Sequence, residues 1–181
     1  MSAPDMPYPK EMEETFVLAS GRRVLLRPIR PEDEPAHRAL LAKLSPRDIR
    51  FRFFGMVREF SQDQMDRFTR IDYDREMAFI ATAAGPDGKP ETLGVVRAAA
   101  DPGKNRAEFA IVVRSDLGTQ GIGHRLLEKM IAHCRARGVR RMVGQVMAEN
   151  TRMLDLARSL GFAGRLIPDE AAVEVTLDLQ A

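Results

Sequence analysis

The segment AEFAIVVRSDLGTQGIGHRLLEKM, residues 107–130, holds the residue types best suited to chemistry. Glu108 is a lone acid at the start of an apolar strand pattern, and a carboxylate so placed can accept a proton from an incoming group. Its plainer reading is a solvated acid or an ion-pair partner of Arg97 or Arg106. Downstream, GTQGIG links the strand pattern to a helix pattern. Backbone N–H groups at such a helix start lack internal partners and, with the helix dipole, attract anions. Gly118, Gly121 and Gly123 would let that backbone approach phosphate oxygens, although glycines also open helices for purely steric reasons. Gly123 is followed by His124 and Arg125, so the turn does not end in the Gly-Lys-Ser/Thr of a Walker loop. It also lacks the third glycine and the early position of a dinucleotide fingerprint. A pyrophosphate site of another type remains.

Further candidates lie on either side. Asn150, in GQVMAENTRMLDLARSLGF, stands where a strand delivers the chain to a helix, and capping that helix is its ordinary role. Asp72 and Tyr73, in IDYDREMAFIA, either form a turn or line a site that attracts a cationic acceptor. The basic stretch RARGVRR, residues 135–141, suits a helix C-terminus, and a second reading gives it the 3′-phosphate of a nucleotide cofactor. Cys134 falls on an apolar helix face and reads as packing. His133, without a partner in view, reads as surface.

The elements that must position these residues follow from periodicity and punctuation. TFVLASGRRVLLRPI predicts two short strands around Ser20-Gly21, and RPEDEPAHRALLAKL a helix with Pro31 in its first turn. SPRDIRFRFFG predicts a second helix capped by Ser45, and SQDQMDRFTRI a third with a Ser61/Gln64 capping box. EMAFIATAAG, ETLGVVRAAA and AEFAIVVR form a meander. After the glycine turn, Ile122, Leu126, Leu127, Met130, Ile131 and Cys134 share one face of a helix that ends at Gly138. VRRMVGQVM is a strand, NTRMLDLARSLG a helix, and AAVEVTLDL a last strand whose edge is free to pair with a second copy. The fold class expected is α/β, with a mainly antiparallel central sheet and helices on its faces. Residues 1–14 read as a mobile tail and 15–181 as a single domain.

The 181 residues carry 28 basic and 26 acidic side chains, for a net charge of +2, too balanced to argue for nucleic acid. One cysteine excludes an internal disulfide, and the three histidines lack metal-ligand spacing. No stretch has the length of a membrane span, and the N-terminus has no apolar signal segment. A cytoplasmic monomer or homodimer, with no metal and no membrane partner, is the expectation.

In their order, the strand, glycine turn, helix, strand, Asn150, helix and LGF resemble the acyl-CoA-binding half of the GNAT N-acetyltransferases. IDYDREMAFIA, AEFAIVVRSDL and GQVMAENTRMLDLARSLGF together look like the catalytic domain of bacterial Pat-type protein lysine acetyltransferases, over residues 20–179. The resemblance implies a GNAT fold with a splayed strand pair and acetyl-CoA as acyl donor. It implies pantetheine against the backbone near Ile111 and Val113. The pyrophosphate would rest on Gly118, Thr119, Gln120, Gly121, Ile122, Gly123 and His124, with Asn150 near the pantetheine or the thiol end. It implies Glu108 as general base, with protein lysines as acceptors.

A lysine amine has a pKa of about 10.4 and must lose a proton before it attacks, and partial burial of Glu108 would raise its pKa toward that task. Direct transfer between amine and thioester in one complex needs no covalent enzyme intermediate. Three positions depart from the family pattern. Gly118 stands where Arg, Gln or Lys often begins the loop, Thr119 replaces a glycine, and Ala157 replaces a tyrosine that protonates the leaving thiolate. The alternatives are acetylation of a small amine and a catalytically silent acyl-CoA sensor.

Overall fold

The computed structural model describes residues 6–117 and 120–180. One eight-stranded sheet runs through it. Its strands are β1 (Glu14–Val17), β2 (Arg23–Pro28), β3 (Glu76–Ala84), β4 (Pro90–Ala100), β5 (Arg106–Val113), β6 (Arg141–Met147), β7 (Ala163–Ile167) and β8 (Ala172–Asp178), in spatial order β1-β2-β3-β4-β5-β6-β8-β7. Every pairing is antiparallel except β5 with β6. The helices are α1 (Glu34–Lys43), α2 (Pro46–Phe53), α3 (Gln62–Thr69), α4 (Ile122–Ala136) and α5 (Thr151–Ser159). This is the α/β architecture expected from the sequence, with a mostly antiparallel sheet and helices on both faces.

Successive residues of a strand point to opposite faces, and β3 supplies apolar side chains to both. Met77, Phe79 and Ala81 join a core with Leu126, Leu127 and Met130 of α4 and Ala157 of α5. Ala78 and Ile80 join a second core with Leu40 and Leu41 of α1, Ile49 of α2 and Met65 of α3. Thus α1–α3 cover one face and α4–α5 the other. The α4 stripe from Ile122 to Cys134 is buried as its spacing predicts. Both short-helix caps form: Ser45 Oγ accepts from Asp48 N at 3.0 Å, and Ser61 and Gln64 exchange reciprocal bonds of 3.2 and 2.8 Å.

Three expectations change. β8 is not an edge strand, because β6 pairs on one side and β7 on the other. β7 was not foreseen, since AGRLI is short and mostly exposed, with no alternation to reveal a strand. The stretch before residue 14 packs in part: the rings of Tyr8 and Tyr73 meet edge to face at 6.0 Å, and Met12 lies against the core. Two large apolar side chains suffice to dock a segment whose composition alone reads as a tail.

Two packing details carry predictions. The Phe109 ring lies so close over Gly144 that a Cβ there would sit 2.6 Å from a ring carbon. Gly144→Ala is expected to destabilise the fold by about 1–3 kcal/mol, read as a lower urea midpoint at unchanged slope. His37 of α1 is 2% exposed and its ring packs against Phe68 at 5.5 Å. Burial first, then the charges of Arg97 and Arg52, lower its pKa to about 3, against a weaker pull from Asp33. The unfolded chain takes this proton near pH 6.5, so between there and about pH 3 it binds more protons than the native state. Stability should therefore fall as pH falls through that window, by up to about 1.4 kcal/mol per unit from this group. Urea titrations across the window should show a shallower pH dependence for His37→Phe.

Candidate active site

β5 pairs with β4 along its whole length, from Ala107 to Val113, but with β6 only at Arg106–Arg141, Ala107–Met142 and Glu108–Val143. Beyond Glu108 the two strands diverge. Arg114 N donates to Leu93 O at 3.1 Å, and Asp101 N donates to Arg106 O at 3.0 Å, which fixes the parity of the β4–β5 ladder. Even-numbered residues of β5 turn their backbone groups toward β4. Phe109, Ile111 and Val113 turn theirs into the gap, where β6 offers no partner.

The gap widens into a cleft of about 760 Å³. Glu108, Ile111, Val113, Gln120, Gly121, Ile122, Gly123, His124 and Asn150 all line it. Gly118 and Thr119 lie outside the described residues. Gly121 is the N-cap of α4 in the left-handed region, at φ 83°, with no side-chain cap on the helix. The amides of Ile122, Gly123 and His124 therefore begin the helix without intrahelical acceptors, at the positive end of a 15-residue dipole. A Cβ on Gly123 would stand 3.3 Å from Leu156, so glycine lets α4 and α5 approach closely there. Gln120 anchors the turn by donating to Leu117 O at 2.6 Å.

A charge network that sequence reasoning missed holds the start of this loop. Arg114 is buried and grips Asp116 with two hydrogen bonds, of 3.0 and 2.7 Å, while its other terminal nitrogen lies 3.5 Å from Glu91. Glu91 also meets Arg22 at 2.7 Å and Lys43 at 3.5 Å. The hydrogen bond from Arg22, then the charges of Arg114 and Lys43, hold its carboxyl below the usual range. The carboxyl of Asp116 is lowered likewise, first by its Arg114 bond. In sequence these residues look like ordinary surface charges spread along about half of the chain.

The other side of the cleft faces α1–α3. Register places Glu76 opposite Ala99 and Ala99 opposite Glu108, so the two acids share one face of the sheet across a small residue. Arg97 lies on the same face, with its guanidinium 3.6 Å from Glu76 and donating to Phe68 O at 3.1 Å. Burial raises the pKa of Glu76, opposed by Arg97 and helped by Asp72. Burial and then Arg52 lower Arg97 to about 10, and burial lowers Arg52. Glu76, Arg52 and Arg97 line the cleft, and single-residue reading had no signal for them beyond the strand register.

Several site expectations are corrected. Glu108 is exposed, not partly buried, because β6 turns away at that residue and leaves its flank open. Arg97 is paired with Glu76 instead of Glu108. Asp72 and Tyr73 do not reach the cleft. Asp72 accepts from the amides of Asp74 and Glu76, both at 3.0 Å, and Tyr73 is buried with its hydroxyl donating to Ile29 O at 2.6 Å. Both serve the turn into β3. Residues 135–141 lie at the far end of α4, about 22 Å from the glycine turn at 1.5 Å per residue, and Arg137 pairs with Asp74. They are remote from any anion at the turn. Cys134 is core, with its thiol pushed up to about 12 by burial. His133 is half-buried against the edge of Phe79, not a surface group. Ala157 is fully buried, its carbonyl accepting from Phe162 N at 3.0 Å, and it does not line the cleft.

Asn150 both lines the cleft and caps α5, its side-chain oxygen accepting from Met153 N at 3.2 Å. Asn150→Ala should lower stability by about 1 kcal/mol and Asn150→Ser should retain most of it, as thermal unfolding would register. Among the described residues no group of three or more metal-ligating side chains occurs, and no helix is long and apolar enough to cross a membrane.

This geometry agrees with what comparison finds. The model of the acetyltransferase (GNAT) family matches residues 45–162. An acetyltransferase of Pseudomonas aeruginosa is 36% identical over 154 residues, which are 85% of this chain and 82% of the relative. Among solved structures, the GNAT domain of S. lividans PAT superposes with a TM-score of 0.85 at 26% identity, covering 94% of this chain and 99% of that one. A spermidine N-acetyltransferase of Vibrio cholerae, solved with CoA and spermine, superposes with a TM-score of 0.67 at 16% identity over 87% of this chain and 96% of that one. The last likeness speaks for the fold alone.

Proposed function

The chain belongs to the GNAT acetyltransferase family, and from that premise we propose that it moves an acetyl group from acetyl-CoA directly to a lysine amine of another protein. The observation that carries the reading is the divergence of β5 from β6 immediately after Glu108. It leaves one free strand edge leading from a carboxylate to a helix start.

The residues present suit acetyl-CoA. The gap-facing backbone of Ile111 and Val113 can pair with an extended amide chain as a missing strand would. The amides of Ile122, Gly123 and His124 can take a pyrophosphate, with Gly118 and Thr119 completing the turn in sequence. Bound there, acetyl-CoA supplies an acyl group activated as a thioester. A backbone N–H on the open edge of β5 is suited to stabilise charge on the acyl oxygen.

The acceptor enters from the side of α1–α3. Glu108, at the fork, receives the proton that the ammonium must lose, directly or through one water. Its exposure leaves it accessible to a side chain presented by a protein surface. Support for a protein acceptor comes from the likeness to the S. lividans PAT domain, which spans 99% of that domain. With Ala157 buried and both tyrosines outside the cleft lining, the departing thiolate has no tyrosine donor in the cleft.

A second reading of the proton acceptor has its own observation. Glu76 lies on the same face as Glu108, and burial raises its pKa, the direction a general base needs. Its ion pair with Arg97 argues for a structural duty instead. The two are separated by measuring CoA release with a lysine-bearing acceptor together with CoA affinity. Glu108→Gln should lower kcat by about a hundredfold or more with CoA affinity retained, and Glu76→Gln by less than tenfold. The opposite ranking moves the base to Glu76. Loss of CoA binding to the wild type would overturn the reading of the turn.

A further inference from the structure

Gln145 of β6 carries a side-chain amide with no protein partner beside the open seam. It is exposed, lines the cleft and makes no side-chain hydrogen bond among the described residues. Other polar groups on the cleft walls are committed. Asp48 accepts from Ser115 N at 3.4 Å, Gln120 donates to Leu117 O at 2.6 Å, Asn150 accepts from Met153 N at 3.2 Å, and Glu76 lies 3.6 Å from Arg97. An exposed glutamine on a strand is ordinarily solvated surface. Strand register gives this one a place beside the proposed proton acceptor.

Glu108 is in register with Val143, and residues two apart on a strand share a face, so Gln145 stands on the face of Glu108. The other face of β6 belongs to Met142 and Val146, which join the core under α4 and α5. With strands about 4.8 Å apart and a rise of about 3.3 Å per residue, the Cα atoms of Glu108 and Gln145 lie about 8 Å apart where the seam begins to open. Side chains of this length can meet at one atom between them. Ala110 would face Gln145 had the ladder continued, and Ala99 faces Glu108 from β4, so only small side chains stand around that point. The core beneath α1–α3 takes no side chain from β6, which leaves this corner without helix cover. We propose that Gln145 orients the acceptor, its side-chain oxygen accepting a hydrogen bond from the attacking nitrogen. This rests on the acetyltransferase reading and deepens it. Once the ammonium has given a proton to Glu108, the amine keeps two N–H groups and one lone pair. A hydrogen bond from one N–H to Gln145 fixes the rotation of the nitrogen and turns its lone pair toward the thioester carbon. As the N–C bond forms, positive charge grows on the nitrogen, and the amide oxygen then binds it more strongly than in the ground state. Gln145 neither gives nor takes a proton. A carboxylate in its place would favour the charged, unreactive form of the acceptor.

The test uses the full chain, acetyl-CoA and a lysine-bearing peptide as acceptor probe. CoA release gives kcat and KM across pH, calorimetry gives the Kd of CoA, and thermal unfolding reports the fold. Gln145→Leu should lower kcat/KM for the peptide by about tenfold or more, with CoA affinity and melting temperature unchanged. Gln145→Glu keeps an acceptor oxygen and should recover part of that loss above neutral pH. The acid limb of its kcat/KM profile should move to higher pH, because a second carboxylate beside Glu108 makes the pair harder to ionise fully. A purely structural role for Gln145 would leave that limb in place. Equal kcat/KM in Gln145→Leu and wild type would overturn the proposal. So would a fall in CoA affinity, which would assign Gln145 to the cofactor instead. An acid limb that stays put in Gln145→Glu would put the residue out of reach of Glu108 and overturn it too. Each of these leaves the acetyltransfer reading standing, whereas a wild type that moves no acetyl group to the peptide removes that reading and the proposal with it.

Discussion

Three residue pairs hold β5 to β6, and the rest of the site depends on where that pairing stops. A parallel ladder carried on to Val113 would satisfy the backbone of Phe109, Ile111 and Val113 and close the cleft. It stops at Glu108, while β6 continues to Met147 by pairing with β8 on its other side. The sheet therefore stays continuous and stable although one seam is open. The open seam is tolerated because both strands keep a full ladder elsewhere, so the unpaired groups are confined to one edge facing solvent or ligand.

The two ends of this seam are electrostatically distinct, and the sheet separates them. At one end the α4 amides present partial positive charge, steadied by the Arg114–Asp116–Glu91 network beneath the loop. At the other, Glu76, Arg97 and Glu108 share the face covered by α1–α3. Groups suited to an anion and groups suited to a proton are thereby kept apart. His37 belongs to this second region: the charges of Arg97 and Arg52 help keep it neutral.

Local chemistry is what the sequence made legible. Ser45, Ser61 and Gln64 announced their helices because capping is decided within four residues, and the α4 stripe announced itself because it repeats over four turns. The glycine turn and Glu108 were readable for the same reason, being adjacent in one segment. Glu76, Arg97 and Arg52 were not, because their meeting depends on the register of three strands and on how α2 lies across them. Tyr73 misled for a related reason: its hydroxyl finds Ile29, 44 residues away, a partner no local pattern foretells. β7 was missed because its side chains are mostly exposed, and only its hairpin with β8 makes it a strand.

The two acids of the acceptor side illustrate how position divides labour between like groups. Glu76 is half-buried beside a guanidinium, so burial raises its pKa while the ion pair restrains it. Glu108 stands where cover ends, with β6 diverging beside it. A carboxylate in the open can meet a solvated ammonium without first displacing a salt bridge, whereas Glu76 must give up Arg97 to do so. Removing Glu76 would leave the buried charge of Arg97 uncompensated, and such a charge is more expensive than the pair it came from. Glu76 is thus better suited to holding Arg97 and Glu108 to receiving the proton, because the burial of Glu76 also ties it to its partner.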